Sequence, residues 1–265
     1  MVEIEIIGYA ALIAVGMILG IAGSGGAMLS VPILVYLFAL DVVVASAYSF
    51  FIVGATSTVG AILKQKQQLM DIRAASIFGI PSVITIFIIR KWVIYNIPEY
   101  IIQTDFLIVP KRTALLGLFA GLVLLSAVLL IRGRNVRPNR KNTSDVTLTL
   151  AGFSTGILAG LTGIGGGFLI LPALLLFTHL SFKTAVATTL CIIGANSIFG
   201  FLGSAFDLPI NWFFLSVITT LSITGILIGH FFQARFQPHI LQKALGWFTL
   251  LIGALILWQE MTSAA

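Results

Sequence analysis

At 265 residues, with 58% hydrophobic and 9% charged side chains, the chain cannot coat a soluble domain, whose charged fraction is about 25%. A bilayer is the alternative solvent, and a helix of about 20 apolar residues is its spanning unit. The net charge of +6 reads as cationic loops on the cytoplasmic face rather than as a nucleic-acid surface, and the single Cys191 excludes an intrachain disulfide and a multi-cysteine metal site.

Taken in order, apolar runs predict helices over 3–22, 27–40, 43–63, 74–91, 112–131, 147–162, 167–180, 183–204, 210–231 and 241–259. The first is read as a retained membrane helix, because Glu3 and Glu5 stand where a signal peptide carries Lys or Arg. The runs 27–40 and 167–180 are short, 14 residues each, and reach about 21 Å of a ~30 Å hydrocarbon core. Both open just after a glycine cluster. Long breaks fall only at 92–111 and 132–146. The second holds the polar, cationic run Arg132 to Lys141 at the chain midpoint. It predicts a cytoplasmic basic linker over 132–146 between transmembrane repeats 1–131 and 147–265.

Those two regions are copies of one another. An offset of 140 residues lays Gly20–Pro32 on Gly160–Pro172 without a gap, with 15 identities in the 41 positions from 20 to 60. Ala45, Ala47, Gly54, Ala55, Ser57 and Gly60 meet Ala185, Ala187, Gly194, Ala195, Ser197 and Gly200. Later, Leu116–Phe119 matches Leu245–Phe248 at an offset of 129, so the first half carries an 11-residue insertion around 92–111. Cations decide the relative orientation. If the short segments cross the bilayer, eleven cations lie on one side and four, Arg90, Lys91, Lys111 and Arg112, on the other. If the short segments turn back, the count is eight against seven. The positive-inside bias selects the first arrangement. The expected fold is an all-α polytopic membrane protein, an inverted repeat of about eight full transmembrane helices plus two short half-helices.

Chemistry centres on the glycine clusters, Gly23, Ser24, Gly25, Gly26 with Ala27, and Gly163, Ile164, Gly165, Gly166 with Gly167. Each breaks an apolar run and opens a short helix, whose first N–H groups lack intrahelical partners and carry the positive end of the helix dipole. In an inverted repeat two such ends converge near the midplane, a ready site for an anion. Close packing is the competing explanation, and it fits the Gly16/Gly20 and Gly156/Gly160 pairs best. A second polar set, Thr56 and Ser57 with Asn196 and Ser197, lies mid-helix, where interhelical hydrogen bonding competes with ligand binding. Asn196 stands out because its amide can donate two hydrogen bonds to an oxyanion. No Asp or Glu falls in the middle of a predicted span. His179 and His230 sit near helix ends, Lys183 reads as a topological anchor, and Pro81 is expected to kink its helix.

The duplicated Gly-x-Gly-Gly-(Gly/Ala)-x-x-x-x-Pro pattern, Gly23 to Pro32 and Gly163 to Pro172, resembles the TauE/SafE sulfite exporter family. So do the small-residue patches at 45–60 and 185–200. The resemblance covers essentially the whole chain and implies a permease of the cell (inner) membrane. Its expected cargo is a small sulfur-containing anion such as sulfite, sulfoacetate or another organosulfonate, exported by alternating access. Ala27 departs from Gly167 of the second copy and puts equal roles for the two loops in doubt. A passive anion channel, or a permease for another small oxyanion, would use the same loops. An embedded enzyme is not expected, since Ser24 and the histidines show no nucleophile–base spacing. No cofactor, catalytic residue, metal or nucleic-acid partner is expected; the partners are the anion, membrane lipid and, as an option, a second copy of the chain.

Overall fold

The structure is a computed structural model that describes residues 2–104, 107–132, 144–163, 166–206, 208–233 and 238–264. The first half contains α1 (Val2–Ala22), α2 (Ala27–Tyr36), α3 (Val42–Gln65), α4 (Ile72–Ile88) and α5 (Lys111–Arg132). A π-helical turn, Ile89–Val93, prolongs α4. The second half contains α6 (Asp145–Thr162), α7 (Gly167–Phe177), α8 (Phe182–Ala205), α9 (Trp212–Gln233) and α10 (Pro238–Ala264). Seven described helices are long and apolar enough to cross a membrane; α2, α7 and the apolar part of α1 are shorter. Of the expected linker, Arg132 ends α5, and residues 133–143 lie outside the described residues.

Side-chain caps fix where the helices begin. Asp41 accepts from the Val43 and Val44 amides at the start of α3, Asp71 from Ala74 at α4, and Ser181 from Thr184 at α8. Each satisfies an amide that the first turn leaves open. One element was not expected. Within the insertion, β1 (Tyr100–Thr104) and β2 (Leu107–Pro110) pair as an antiparallel hairpin. Its Tyr-Ile-Ile and Leu-Ile-Val runs are strand formers, but the break around them reads as a loop when helices are the only template sought.

The packing respects the sequence repeat. α1 lies on α9 and α4 on α6, and exchanging the halves converts one pair into the other. Glycines let these backbones touch: a Cβ on Gly16 would stand 2.0 Å from Ser222 O, and one on Gly156 2.7 Å from Ser82 O, the position 140 residues earlier. At the centre α3 packs on α8. Gly54 of α3 faces Ser197 and Gly60 faces Leu190, so the two helices run antiparallel. Gly246 faces Leu130 while Gly253 faces Val123, so α5 and α10 are antiparallel too. Equivalent helices running in opposite directions is the relation an inverted repeat requires, and an even number of crossings per half would make them parallel.

Two hydrogen bonds tie the halves at opposite ends. The Asn211 N–H donates to Tyr48 Oη at 2.7 Å, and the Asp71 N–H donates to Thr188 Oγ1 at 3.0 Å. Both partners in one bond lie 140 positions from those in the other. Each bond satisfies a backbone donor just before a long helix with a hydroxyl from the other repeat.

Candidate functional site

The glycine loops fold as they do because only glycine meets both demands placed on them. Gly23 and Gly163 end α1 and α6 with φ of +79° and +80°, a left-handed conformation that costs other L-residues about 1–2 kcal/mol. Both also press against the opposite repeat. A Cβ on Gly23 would lie 2.3 Å from Val186 Cγ1, and one on Gly163 2.1 Å from Ser46 Cβ. Val186 and Ser46 are themselves repeat equivalents, so each loop is clamped onto the central helix of the other half.

Beyond these turns the chain re-enters the protein as α2 and α7. Their N-terminal ends approach one another: a Cβ on Gly167 would stand 3.6 Å from Ser24 O. Two helix N-termini therefore meet inside the protein. Gly25 and Gly26 are packed tightly, against Leu245 Cδ1 and Val15 O, at 2.0 and 2.1 Å from an added Cβ. The loops are not identical. Gly166 has φ +75°, whereas Gly26 has φ −65°, an ordinary helical value. Ala27, which stands where the second copy has Gly167, is fully buried as the first residue of α2. Ile164 and Gly165 lie outside the described residues.

Buried hydroxyls stand without hydrogen-bond partners at the head of α2, Ser24, and along the central pair, Ser49 and Ser57 on α3 with Thr189 and Ser197 on α8. Ser49 pairs with Thr189, and Ser57 with Ser197, at the repeat offset. None of the five exceeds 1% exposure, so solvent reaches them from neither end. A buried hydroxyl without a partner costs free energy, and four arranged as two symmetric pairs mark a polar seam along the α3/α8 contact. The two other mid-helix residues are occupied. Thr56 Oγ1 donates to Ile52 O at 2.6 Å, and Asn196 Nδ2 donates to Ser82 Oγ at 2.8 Å. One of the two donors expected to face an anion thus ties α8 to α4 instead.

The structure adds a residue that the sequence reading set at the outer surface. Arg90, on the π turn, is 0% exposed. Its Nε donates to Ser204 Oγ at 2.7 Å and its Nη1 to Ser46 Oγ at 2.9 Å. The guanidinium carbon lies 5.2 Å from the Phe50 ring centroid. The signal available in sequence was slight: Arg90 follows an apolar run directly, and Gly203 provides the space its Cβ needs, 3.0 Å from an added Cβ. At the opposite end of α3, Lys64 is also buried, at 5% exposure.

Two cavities open at opposite ends of the molecule, in repeat-equivalent positions. One, about 520 Å³, is polar and lined by Asp71, Arg73, Ser144, Asp145, Thr178 and His179. Across its mouth Arg73 and Asp145 form an exposed ion pair at 3.0 Å. The other, about 400 Å³, is aromatic, lined by Tyr9, Phe38, Tyr48 and Phe214 with Leu40 and Asn211. Among the described residues no group of three or more His, Cys, Asp and Glu could hold a metal ion.

Spanning helices in two copies, breaks at which helix N-termini meet, and a buried polar seam between mouths define a polytopic membrane transporter. Comparison with known proteins agrees. The description "Sulfite exporter TauE/SafE" matches residues 8–256, and the chain belongs to that family. A "Probable membrane transporter protein" of Xylella fastidiosa (strain 9a5c) is 26% identical, over 94% of this chain and 93% of its own length. The "Probable membrane transporter protein YunE" of Bacillus subtilis (strain 168) is 24% identical over 96% and 99%. A third, MJ0441 of Methanocaldococcus jannaschii, is 28% identical over 72% and 70%. No solved structure matches.

Proposed function

We propose that the protein is an alternating-access carrier of the cell (inner) membrane that exports a small sulfur oxyanion, such as sulfite or an organosulfonate like sulfoacetate. The observation that carries the reading is the meeting of two helix N-termini at Ser24 and Gly167, in a protein whose central helices also bury the unpartnered hydroxyl pair Ser57 and Ser197. Backbone amides and dipole ends attract an anion without a fixed charge, and hydroxyls donate to its oxygens. Buried as they are, these groups form a site closed to both sides, and rocking of one repeat on the other opens it alternately. The equivalent clamps at Tyr48–Asn211 and Thr188–Asp71 sit where each half would release and re-form. In this reading two transmembrane repeats, 1–131 and 147–265, joined over 132–146, are the two bodies that move. Homodimerisation is not needed for this site, since both N-termini come from one chain.

The test is uptake of labelled sulfite into proteoliposomes by counterflow. The wild type should show saturable uptake driven by unlabelled sulfite inside. Ser57→Ala with Ser197→Ala should weaken binding about 5- to 100-fold, the loss of one or two hydrogen bonds. Unsaturable flux without counterflow would mean a passive channel. Sulfite binding undiminished in the double variant would reject the midplane site.

A further inference from the structure

Resting on the carrier reading, the geometry points to a second anion station built on Arg90, at the end of the central pair where Ser46 begins α3 and Ser204 ends α8, apart from the Ser57–Ser197 pair. Arg90 is a cation with no access to water and no carboxylate among its hydrogen-bond partners. The ion pair found among the described residues is Arg73–Asp145, on the surface. Burying a charge without a counter-charge is strongly uphill, and within a membrane protein such a residue marks a function by default. Contact with the Phe50 ring offsets part of this cost but supplies no acceptor.

The guanidinium is oriented as a receptor would be. Ser204 donates its proton to Gly200 O at 3.2 Å and Ser46 donates to Val43 O at 2.7 Å. Their lone pairs are therefore left for Arg90 Nε and Nη1. Nη2 has no partner. Ser49, one turn from Ser46 on α3, holds another buried hydroxyl without one, and Gly163, in the second glycine loop, abuts Ser46 itself. A planar fork beside a free hydroxyl suits an ion that presents two or three oxygens, a sulfite or sulfonate group, better than a halide.

Distance separates this station from the Ser57–Ser197 pair of the midplane site. Ser46 and Ser57 lie eleven positions apart on α3, about 16 Å at 1.5 Å per residue, too far for one small anion to touch both. The other end of the molecule does not repeat the arrangement: Arg90, Ser204 and Ser46 correspond to His230, Lys64 and Val186. One end of the α3/α8 pair has an oriented fork, the other a point charge, so an anion is held differently at the two ends.

Isothermal titration of the full chain in nanodiscs with sulfite tests this, with chloride as the halide control. Wild type should bind two sulfites per chain, and Arg90→Gln should bind one. The affinity lost should be about 10- to 100-fold, that of a charge-assisted hydrogen bond, with Arg90→Lys in between because it keeps the charge but not the fork. Equal stoichiometry and affinity in wild type and Arg90→Gln overturns the station and leaves the carrier reading standing. Failure of wild type to bind any oxyanion overturns the carrier reading, and this one with it. If Arg90→Gln does not fold, Ser204→Ala and Ser46→Ala decide: they keep the charge but release the fork, and unchanged sulfite affinity in both refutes the proposal.

Discussion

Replacing Gly163 by alanine separates two costs that the fold places on one atom. The first is conformational, because φ of +80° in an alanine costs about 1–2 kcal/mol. The second is steric. The new methyl would stand 2.1 Å from Ser46 Cβ and 2.9 Å from Ser46 Cα, where ordinary carbon contacts are about 3.5–4.0 Å. The nearer atoms belong to the α3 framework rather than to a mobile side-chain tip, so relief requires a shift of the helix, which typically costs about 1–3 kcal/mol. The sum is about 2–5 kcal/mol. Gly23→Ala shares the first cost, at φ +79°, but its nearest framework atom, Val186 Cβ, stands 3.1 Å away, with only the Cγ1 methyl closer, at 2.3 Å. It should fall below Gly163→Ala. Gly117, in α5, has nothing within 4 Å of an added Cβ, and Gly117→Ala should be neutral or stabilising by up to about 1 kcal/mol. Equilibrium unfolding in mixed micelles ranks the three. Gly163→Ala within about 0.5 kcal/mol of wild type would refute the claim that this loop is clamped on α3.

Tyr48→Phe and Thr188→Val each remove a hydroxyl that accepts a backbone amide from the other repeat. Each should lower stability by about 1–3 kcal/mol in the same unfolding titration, and similar losses from both would reflect their equivalence. Arg73→Ala breaks an ion pair whose side chains are 77% and 59% exposed, so it should change the unfolding free energy by less than about 1 kcal/mol. Topology is checked by single cysteines at Ser181 and Ser144 on a Cys191→Ala background. An impermeant maleimide should label both from one side, since Leu180 and Ser144 line a common cavity. Labelling from opposite sides would mean that α7 turns back without crossing.

Most of the architecture can be read from residue order. A bilayer forces backbone polar groups into helices, so apolar runs locate them, and the 140-residue offset exposes two homologous halves because glycine and proline, unlike Leu and Ile, do not recur by chance in register. The hairpin was missed because it lies in an insertion, where no repeat partner testifies to it. The site was legible in part. Gly23 and Gly163 stood out because their roles are set by local backbone geometry, and Ser57 and Ser197 because their positions recur.

Residue order determined that the chain lives in a membrane, where its helices run, and where glycine breaks leave the first amides of two short helices without intrahelical partners. Which hydroxyls remain unpartnered was settled only by packing: Thr56 turned to its own helix and Asn196 to Ser82, while Ser57 and Ser197 found nothing. Packing also decided the fate of the charges. Arg90 occupies a helix end, where a sequence places a cation in water. Tertiary structure closes α3 and α8 over it, because burial is a property of what surrounds a residue and not of the segment that carries it.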